Sequence, residues 1–350
     1  VLTVVGICDT EKVTTLPFTR PVCIIGLGLI GGSLLRSLVS KQVPAYGFNR
    51  SPSGTRAGVK EGFDISSDLE ATLKRAESDN ALIVLATPMP AINTLLGALA
   101  TYAPHCGFTD VVSVKSEVYA MVRAHGLVDK YVGGHPMAGT AQSGWGASID
   151  GLFQSAAWVV TFDHAVDHTP STQWLELWRD VAAMASTVGA EVIPCRVAQH
   201  DAAVARISHL PHVLAETLAI VGDNGGALSL SLAAGSFRDG TRVAGTAPSL
   251  VRAMCETNAP ALLNAVDEAI SILEDTRAHL TGSKPNIEEL VDSGYRSRIR
   301  FEARSGMHSS ESVSPLKISS RPVFRVHPGA PGWVNQLIQA ENLGARIEVF

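Results

Sequence analysis

The chain has 350 residues, enough for two compact domains, with 46% apolar and only 17% charged residues. That balance excludes a disordered solvating protein. A net charge of -5, from 28 Lys plus Arg against 33 Asp plus Glu, excludes the basic footprint of a nucleic-acid binder.

Residues 1–20 read as an N-terminal extension. They lack a basic segment followed by an apolar one, so no secretory signal is legible and a cytoplasmic address is expected. From residue 21 onward, short apolar runs at 22–25, 45–48, 81–85, 110–114 and 131–133 alternate with amphipathic stretches at 33–39, 69–75, 91–99 and 117–125. Strand and helix at this spacing predict a mostly parallel sheet with helices on both faces. Runs at 157–162 and 191–194, with a helix over 172–188 between them, are expected as its last strands. The first domain is therefore an α/β, doubly wound unit over 21–195. Beyond residue 196, apolar positions recur every three or four residues through 198–221, 226–234, 249–254 and 261–280, which predicts an all-α domain over 196–304. The serine-rich stretch 305–320 reads as a linker, and 321–350 as a short β-α-β tail with elements near 322–326, 333–342 and 345–350. The apolar run 81–86 is far below the ~20 residues of a membrane helix. Five scattered cysteines without a C-x-x-C pair form neither a disulfide framework nor a zinc site.

The first strand runs directly into Gly26-Leu27-Gly28-Leu29-Ile30-Gly31, a G-x-G-x-x-G turn opening a helix. Gly26 permits the turn, Gly28 lets a pyrophosphate approach the backbone, and Gly31 lets the helix sit close to the strand. Leu29 and Ile30 stand at the helix N-terminus that attracts the anion. This is a Rossmann-type dinucleotide site. The second strand ends in Asn49-Arg50-Ser51 rather than in the acid that holds the ribose of NAD. Asn49 does not repel a 2′-phosphate, Arg50 can bind it bidentately and Ser51 adds a hydroxyl, so NADP is favoured and NAD remains possible.

Three further clusters carry chemistry. Ser113 and Lys115 fall at the expected carboxyl end of a strand, where α/β sheets bind ligands. His135, in Gly133-Gly134-His135-Pro136, is placed beyond the next strand end, where an imidazole can accept a hydroxyl proton. In Ser208-His209-Leu210-Pro211-His212 the two histidines share a helix face, Ser208 lies one turn before His212, and Pro211 should bend the helix or free a carbonyl. A metal site using His200 and Asp201 upstream is set aside, for want of an H-E-x-x-H motif, a cysteine ligand or a carboxylate at suitable spacing. Downstream, Arg238 and Arg242 lie in a glycine-bounded segment, where an arginine can hold a carboxylate.

Taken in order, G-L-G-L-I-G-G-S, S-V-K, H-P-M-A-G, S-H-L-P-H and F-R-D-G-T-R-V-A resemble the TyrA family of prephenate and arogenate dehydrogenases, over about residues 21–280. The resemblance implies a Rossmann domain followed by a helical domain that dimerises, with the active site between them. It implies oxidative decarboxylation of a cyclohexadienol on the route to tyrosine. It also implies roles: His135 accepts the ring-hydroxyl proton, Ser113 bonds to that hydroxyl and to His135, Arg242 binds a substrate carboxylate, and Ser208 and His212 line the pocket. The expected partners are the small-molecule substrate and a second copy of the chain.

Two features depart from the family pattern. Gly139 is followed by Thr140-Ala141-Gln142, where some relatives carry a glutamate, and the tail is too short for a complete regulatory ACT domain. A β-hydroxyacid dehydrogenase shares the two-domain plan, but its G-x-x-x-K-x-x-x-N helix has no counterpart here. A cofactor-binding sensor without turnover is the other alternative, and the joint presence of Ser113, His135 and Arg242 argues against it.

Overall fold

Six parallel strands form the first sheet: β1 (Val22–Ile25), β2 (Ala45–Phe48), β3 (Ile65–Ser66), β4 (Leu82–Leu85), β5 (Phe108–Asp110) and β6 (Tyr131–Val132). The computed structural model describes residues 18–140, 142–305 and 321–350. Most of the expected N-terminal extension, residue 141 and nearly all of the expected linker lie outside the described residues. The strand order is β3-β2-β1-β4-β5-β6. β1 and β4 are buried at every residue, as continuous apolar runs must be when helices cover both faces. The order reverses between them, so the crevice at their carboxyl ends is the place where such a sheet takes a ligand.

The runs expected to finish this sheet instead form a second one. It contains β7 (Gly134–Pro136), antiparallel to β8 (Ala157–Val160), which runs parallel to β9 (Glu191–Pro194). The chain changes sheet at a pair of glycines. A Cβ on Gly134 would lie 2.7 Å from the Asp110 carbonyl oxygen, and one on Gly133 would lie 2.8 Å from Thr161 Oγ1. Lys115 then pins the two sheets together. It is fully buried, ion-paired with Asp110 and donating to the Gly134 carbonyl at 2.7 Å, while Tyr131 donates to the other Asp110 oxygen at 2.6 Å. A lysine expected to face a ligand is thus a structural bolt.

The helix Thr172–Thr187 begins at Ser171, whose hydroxyl accepts from the Trp174 N–H at 3.1 Å, and buries Trp174, Leu177, Trp178 and Val181 at helical spacing. The tail packs on the same layer. Parallel strands β10 (Val323–Val326) and β11 (Arg346–Val349) flank the helix Trp333–Leu343, and Trp333 meets Trp178 edge-on at 5.6 Å.

After β9 the structure is helical up to the linker. Val197–Val204, a π-helical turn over Ala205–His209 and Leu210–Asn224 follow one another directly, and Pro248–Thr257, Ala259–Leu280 and Glu288–Ser305 are the other long helices. This domain leaves large apolar side chains in solvent: Leu228 is 71% exposed, Leu232 73% and Val221 63%. Among the described residues no helix is long and apolar enough to cross a membrane.

Candidate active site

The glycine turn has the geometry its sequence requires. Gly26 has φ +103°, and a Cβ there would lie 2.7 Å from the Ala86 carbonyl oxygen. A Cβ on Gly31 would lie 1.9 Å from the Gly26 carbonyl oxygen, so the helix Leu29–Ser40 approaches the turn as closely as backbone allows. At Gly28 a Cβ would meet nothing within 4 Å. Open space therefore lies over a helix N-terminus that no side chain caps, and its first N–H groups, including those of Leu29 and Ile30, are left for an anion. Beside Gly26 the buried hydroxyl of Thr87 has no partner among the described residues. An orphaned donor, a vacant approach at Gly28 and a free helix N-terminus fit a dinucleotide pyrophosphate.

A cleft of about 410 Å³ continues past Leu27, Gly28, Asn49, Ser51, Gly54 and Trp145. Asn49 is 9% exposed, and its Oδ1 accepts from the Ser51 N–H at 3.1 Å. Ser51 caps the helix Pro52–Lys60 by accepting from the Gly54 N–H at 3.3 Å. Both residues therefore shape the rim of the cleft. Arg50 is exposed and has no protein partner among the described residues.

His135 lies in the middle of β7, not beyond a strand end, because the chain has already entered the second sheet. Its Nδ1 is 2.8 Å from His200 Nε2, and His200 Nδ1 is 2.7 Å from Asp201 Oδ1. The two Asp201 oxygens also accept the backbone N–H groups of Lys115 and Ser116, each at 2.8 Å. A three-residue chain thus crosses from the cofactor domain to the first helix of the helical domain. Burial, with His200 and Lys115 nearby, holds His135 well below the usual histidine range. Burial likewise lowers His200, and Asp201 does not fully restore it. For Asp201 burial works against ionisation, yet hydrogen bonds from His200, Ser116 and the Lys115 backbone hold the carboxyl down at about 2.

Ser113 is half-buried on the loop between β5 and the helix Ser116–Ala124, and it makes no hydrogen bond to His135. His200 occupies the ring nitrogen instead. His209 is 1% exposed and 3.1 Å from Asn258 Nδ2, which also donates to the Asp201 carbonyl at 2.9 Å, so it packs the helix junction. Ser208 approaches Met254 Sδ at 3.8 Å, and His212 keeps a buried Nδ1 without a partner among the described residues. The π-helical turn ends two residues before Pro211, whose missing N–H breaks the regular ladder there. Arg242 is exposed, has no ion pair among the described residues, and opens a short turn (Arg242–Gly245) packed on the helix Leu210–Asn224.

Residues 32–191 match the family profile for prephenate dehydrogenase, nucleotide-binding domain, and residues 196–300 match that for prephenate dehydrogenase, dimerization domain. The chain belongs to the TyrA family of prephenate and arogenate dehydrogenases. A crystal structure from Corynebacterium glutamicum, provisionally described as a prephenate dehydrogenase, is 62% identical; the alignment covers 95% of this chain and 100% of that one, with a TM-score of 0.89. Prephenate dehydrogenase from Lactococcus lactis is 30% identical over 82% of this chain and 79% of its own length. Arogenate dehydrogenase from Synechocystis is 28% identical over 81% of this chain and 100% of its own, with a TM-score of 0.68. This TyrA-family chain is an oxidoreductase of NAD(P)-dependent oxidative decarboxylation in tyrosine biosynthesis, which sets aside the β-hydroxyacid and sensor alternatives. The exposed Leu228 and Leu232 lie in the stretch that matches the dimerization domain.

Two groups escaped the sequence reading. Thr87 carries no motif beyond its place after β4. Sequence spacing offers His200 and Asp201 no role beyond that of metal ligands, and among the described residues no group of His, Cys, Asp and Glu has metal-binding geometry.

Proposed function

We propose that this chain converts prephenate or arogenate with NADP as its preferred acceptor, in a cytoplasmic homodimer, using His135 as the base. Residues 21–195 bind the cofactor, and 196–304 supply the substrate side and the pairing surface. Gly26, Gly28, Leu29, Ile30 and Gly31 hold the pyrophosphate. The uncharged Asn49 and the unpaired Arg50 favour a 2′-phosphate, with Ser51 adding a hydroxyl. When bound, the nicotinamide supplies the acceptor for the hydride of the substrate ring carbon.

His135 takes the proton of the ring hydroxyl as that carbon is oxidised. Ser113, with a hydroxyl free of protein partners among the described residues, binds the same oxygen. Ser208 and His212 line the pocket from the helical domain, and Arg242 takes a substrate carboxylate. Loss of CO2 needs no further acid or base, because aromatisation of the ring drives it. The observation that carries this reading is a half-buried histidine, held neutral at physiological pH, in direct contact with the domain that bears Ser208 and His212. Four free cysteines among the described residues suit a reducing compartment.

The test is turnover of prephenate and of arogenate, each with NADP and with NAD, read at the absorbance of the reduced cofactor. His135→Ala is expected to lower kcat by about 10²–10⁴ while KM changes little. Wild-type protein inert towards both acids, or His135→Ala at near-normal turnover, overturns the proposal.

A further inference from the structure

We propose that His200, backed by Asp201, is the positioning residue that fixes the tautomer of His135 and leaves its Nε2 bare for the substrate hydroxyl. The proposal rests on the reading of His135 as the base and adds the device that makes it one.

Two short contacts fix where the protons sit. Ionised Asp201 can only accept, so the 2.7 Å contact to Oδ1 places a proton on His200 Nδ1. A neutral His200 then has a lone pair on Nε2. The 2.8 Å contact to His135 Nδ1 needs one proton between the rings, and it must sit on His135. The remaining His135 nitrogen, Nε2, is therefore unprotonated, and no protein group among the described residues bonds to it. The opposite arrangement would require His200 to be a cation, and burial disfavours that.

The other charged or titratable groups near His135 do not compete for its Nδ1. Lys115 is engaged with Asp110 and the Gly134 carbonyl. His209 is bonded to Asn258. Asp201 itself cannot swing away, because the two backbone N–H groups of Lys115 and Ser116 anchor its oxygens. A carboxylate that served only to cap a helix would need no imidazole on its remaining lone pair, and His200 is 2% exposed, with both ring nitrogens committed.

The proton balance closes. As the ring carbon is oxidised by the nicotinamide, the O–H bond breaks, its electron pair forms the new C=O, and the proton moves to His135 Nε2. His135 is then a cation that still donates through Nδ1 to His200, with the Asp201 charge one ring away to offset it. When the bond to the departing carboxylate breaks, its electron pair passes through the ring to the oxygen. That oxygen takes the proton back from Nε2, and His135 returns to its starting form.

The experiment begins with the full-length wild-type enzyme, its histidines labelled with ¹⁵N. Long-range proton–nitrogen spectra near neutral pH, with His135 assigned from a His135→Asn variant, are expected to show Nδ1–H and a bare Nε2. In parallel, kcat and KM are measured for His200→Leu and His200→Gln with whichever of the two acids the wild type converts. His200→Leu cannot accept from Nδ1–H and is expected to lower kcat by about 10² or more with KM within a few-fold. His200→Gln offers an amide oxygen and should recover about tenfold of that loss. An Nε2–H tautomer in the wild type, or His200→Leu within about threefold of wild-type kcat, overturns the proposal. The spectra stand without turnover, so an inert wild type would sink the function while the tautomer is still decided.

Discussion

At the scale of single residues, the site is built by removing charge from water and then satisfying it. Lys115 and Asp110 neutralise one another at the junction of the two sheets, and Tyr131 and the Gly134 carbonyl take up their remaining capacity. Asp201 is held differently, by backbone N–H groups and an imidazole. Its carboxyl drops from 3.8 to about 2, which stabilises the folded chain by about 2 kcal/mol at neutral pH. The sign follows from the lowered value. The contribution is full above the unfolded carboxyl range and is lost as pH falls towards the folded one. Urea unfolding of wild type and Asp201→Asn should therefore differ by about 2 kcal/mol at pH 5, and the gap should shrink by about 1 kcal/mol at pH 3. A gap that does not move with pH would mean that Asp201 acts through packing alone.

At the scale of elements, the glycine turn separates two duties that one motif combines. Gly31 serves packing, since any side chain there meets the Gly26 carbonyl, whereas Gly28 borders open space. Gly28→Val is expected to leave the thermal midpoint within a few degrees and to weaken NADP binding at least tenfold by titration. Gly31→Val should lower the midpoint sharply or prevent folding. The reverse pattern would show that the open face at Gly28 is not the cofactor's. The turn was legible because its constraint is local: backbone sterics demand glycine at fixed spacing between a strand and a helix. β1, β2 and β9 were legible as apolar runs between helical patterns. The helix Pro52–Lys60 was not, because it buries only Gly58 and so has no apolar stripe, and the exposed helix Glu288–Ser305 escaped for the same reason. The strand expected over 110–114 ends at Asp110, since Asp110 turns back to accept the Val112 N–H at 2.7 Å. The His135–His200–Asp201 chain was illegible in principle. It joins residues 65 positions apart, and nothing in the spacing of H-P-M-A-G and the later histidine reveals that two domains meet there.

At the scale of the whole molecule, the tail shares one core with the cofactor domain. Val326, Trp333, Leu337, Ala340 and Ile347 are buried in one cluster with Trp178, Val181 and Val192, so the cofactor domain supplies the second half of the tail's core. The tail also reaches the joint between domains. Glu341 is half-buried with its side chain only 7% exposed, and its two oxygens accept from the Arg196 backbone N–H at 2.6 Å and from Arg196 Nε at 2.8 Å. Arg196 is the N-cap of the helix Val197–Val204, whose first N–H, that of Val197, is taken by Asp163 at 2.9 Å. Two carboxylates, one from the cofactor domain and one from the tail, therefore sit at the positive end of the helix that carries His200 and Asp201. Glu341→Ala removes one of them and leaves Arg196 to rehydrate, at a cost of about 2–3 kcal/mol for charge-assisted bonds of this kind. Because the lost anchor lies one turn from His200, kcat should fall along with the urea midpoint, and KM for the cofactor should not, since the glycine turn is untouched. If Glu341→Ala is as stable and as active as the wild type, the tail merely covers the apolar face of Thr172–Thr187, and the joint is held by Asp163 and the His135–His200 contact.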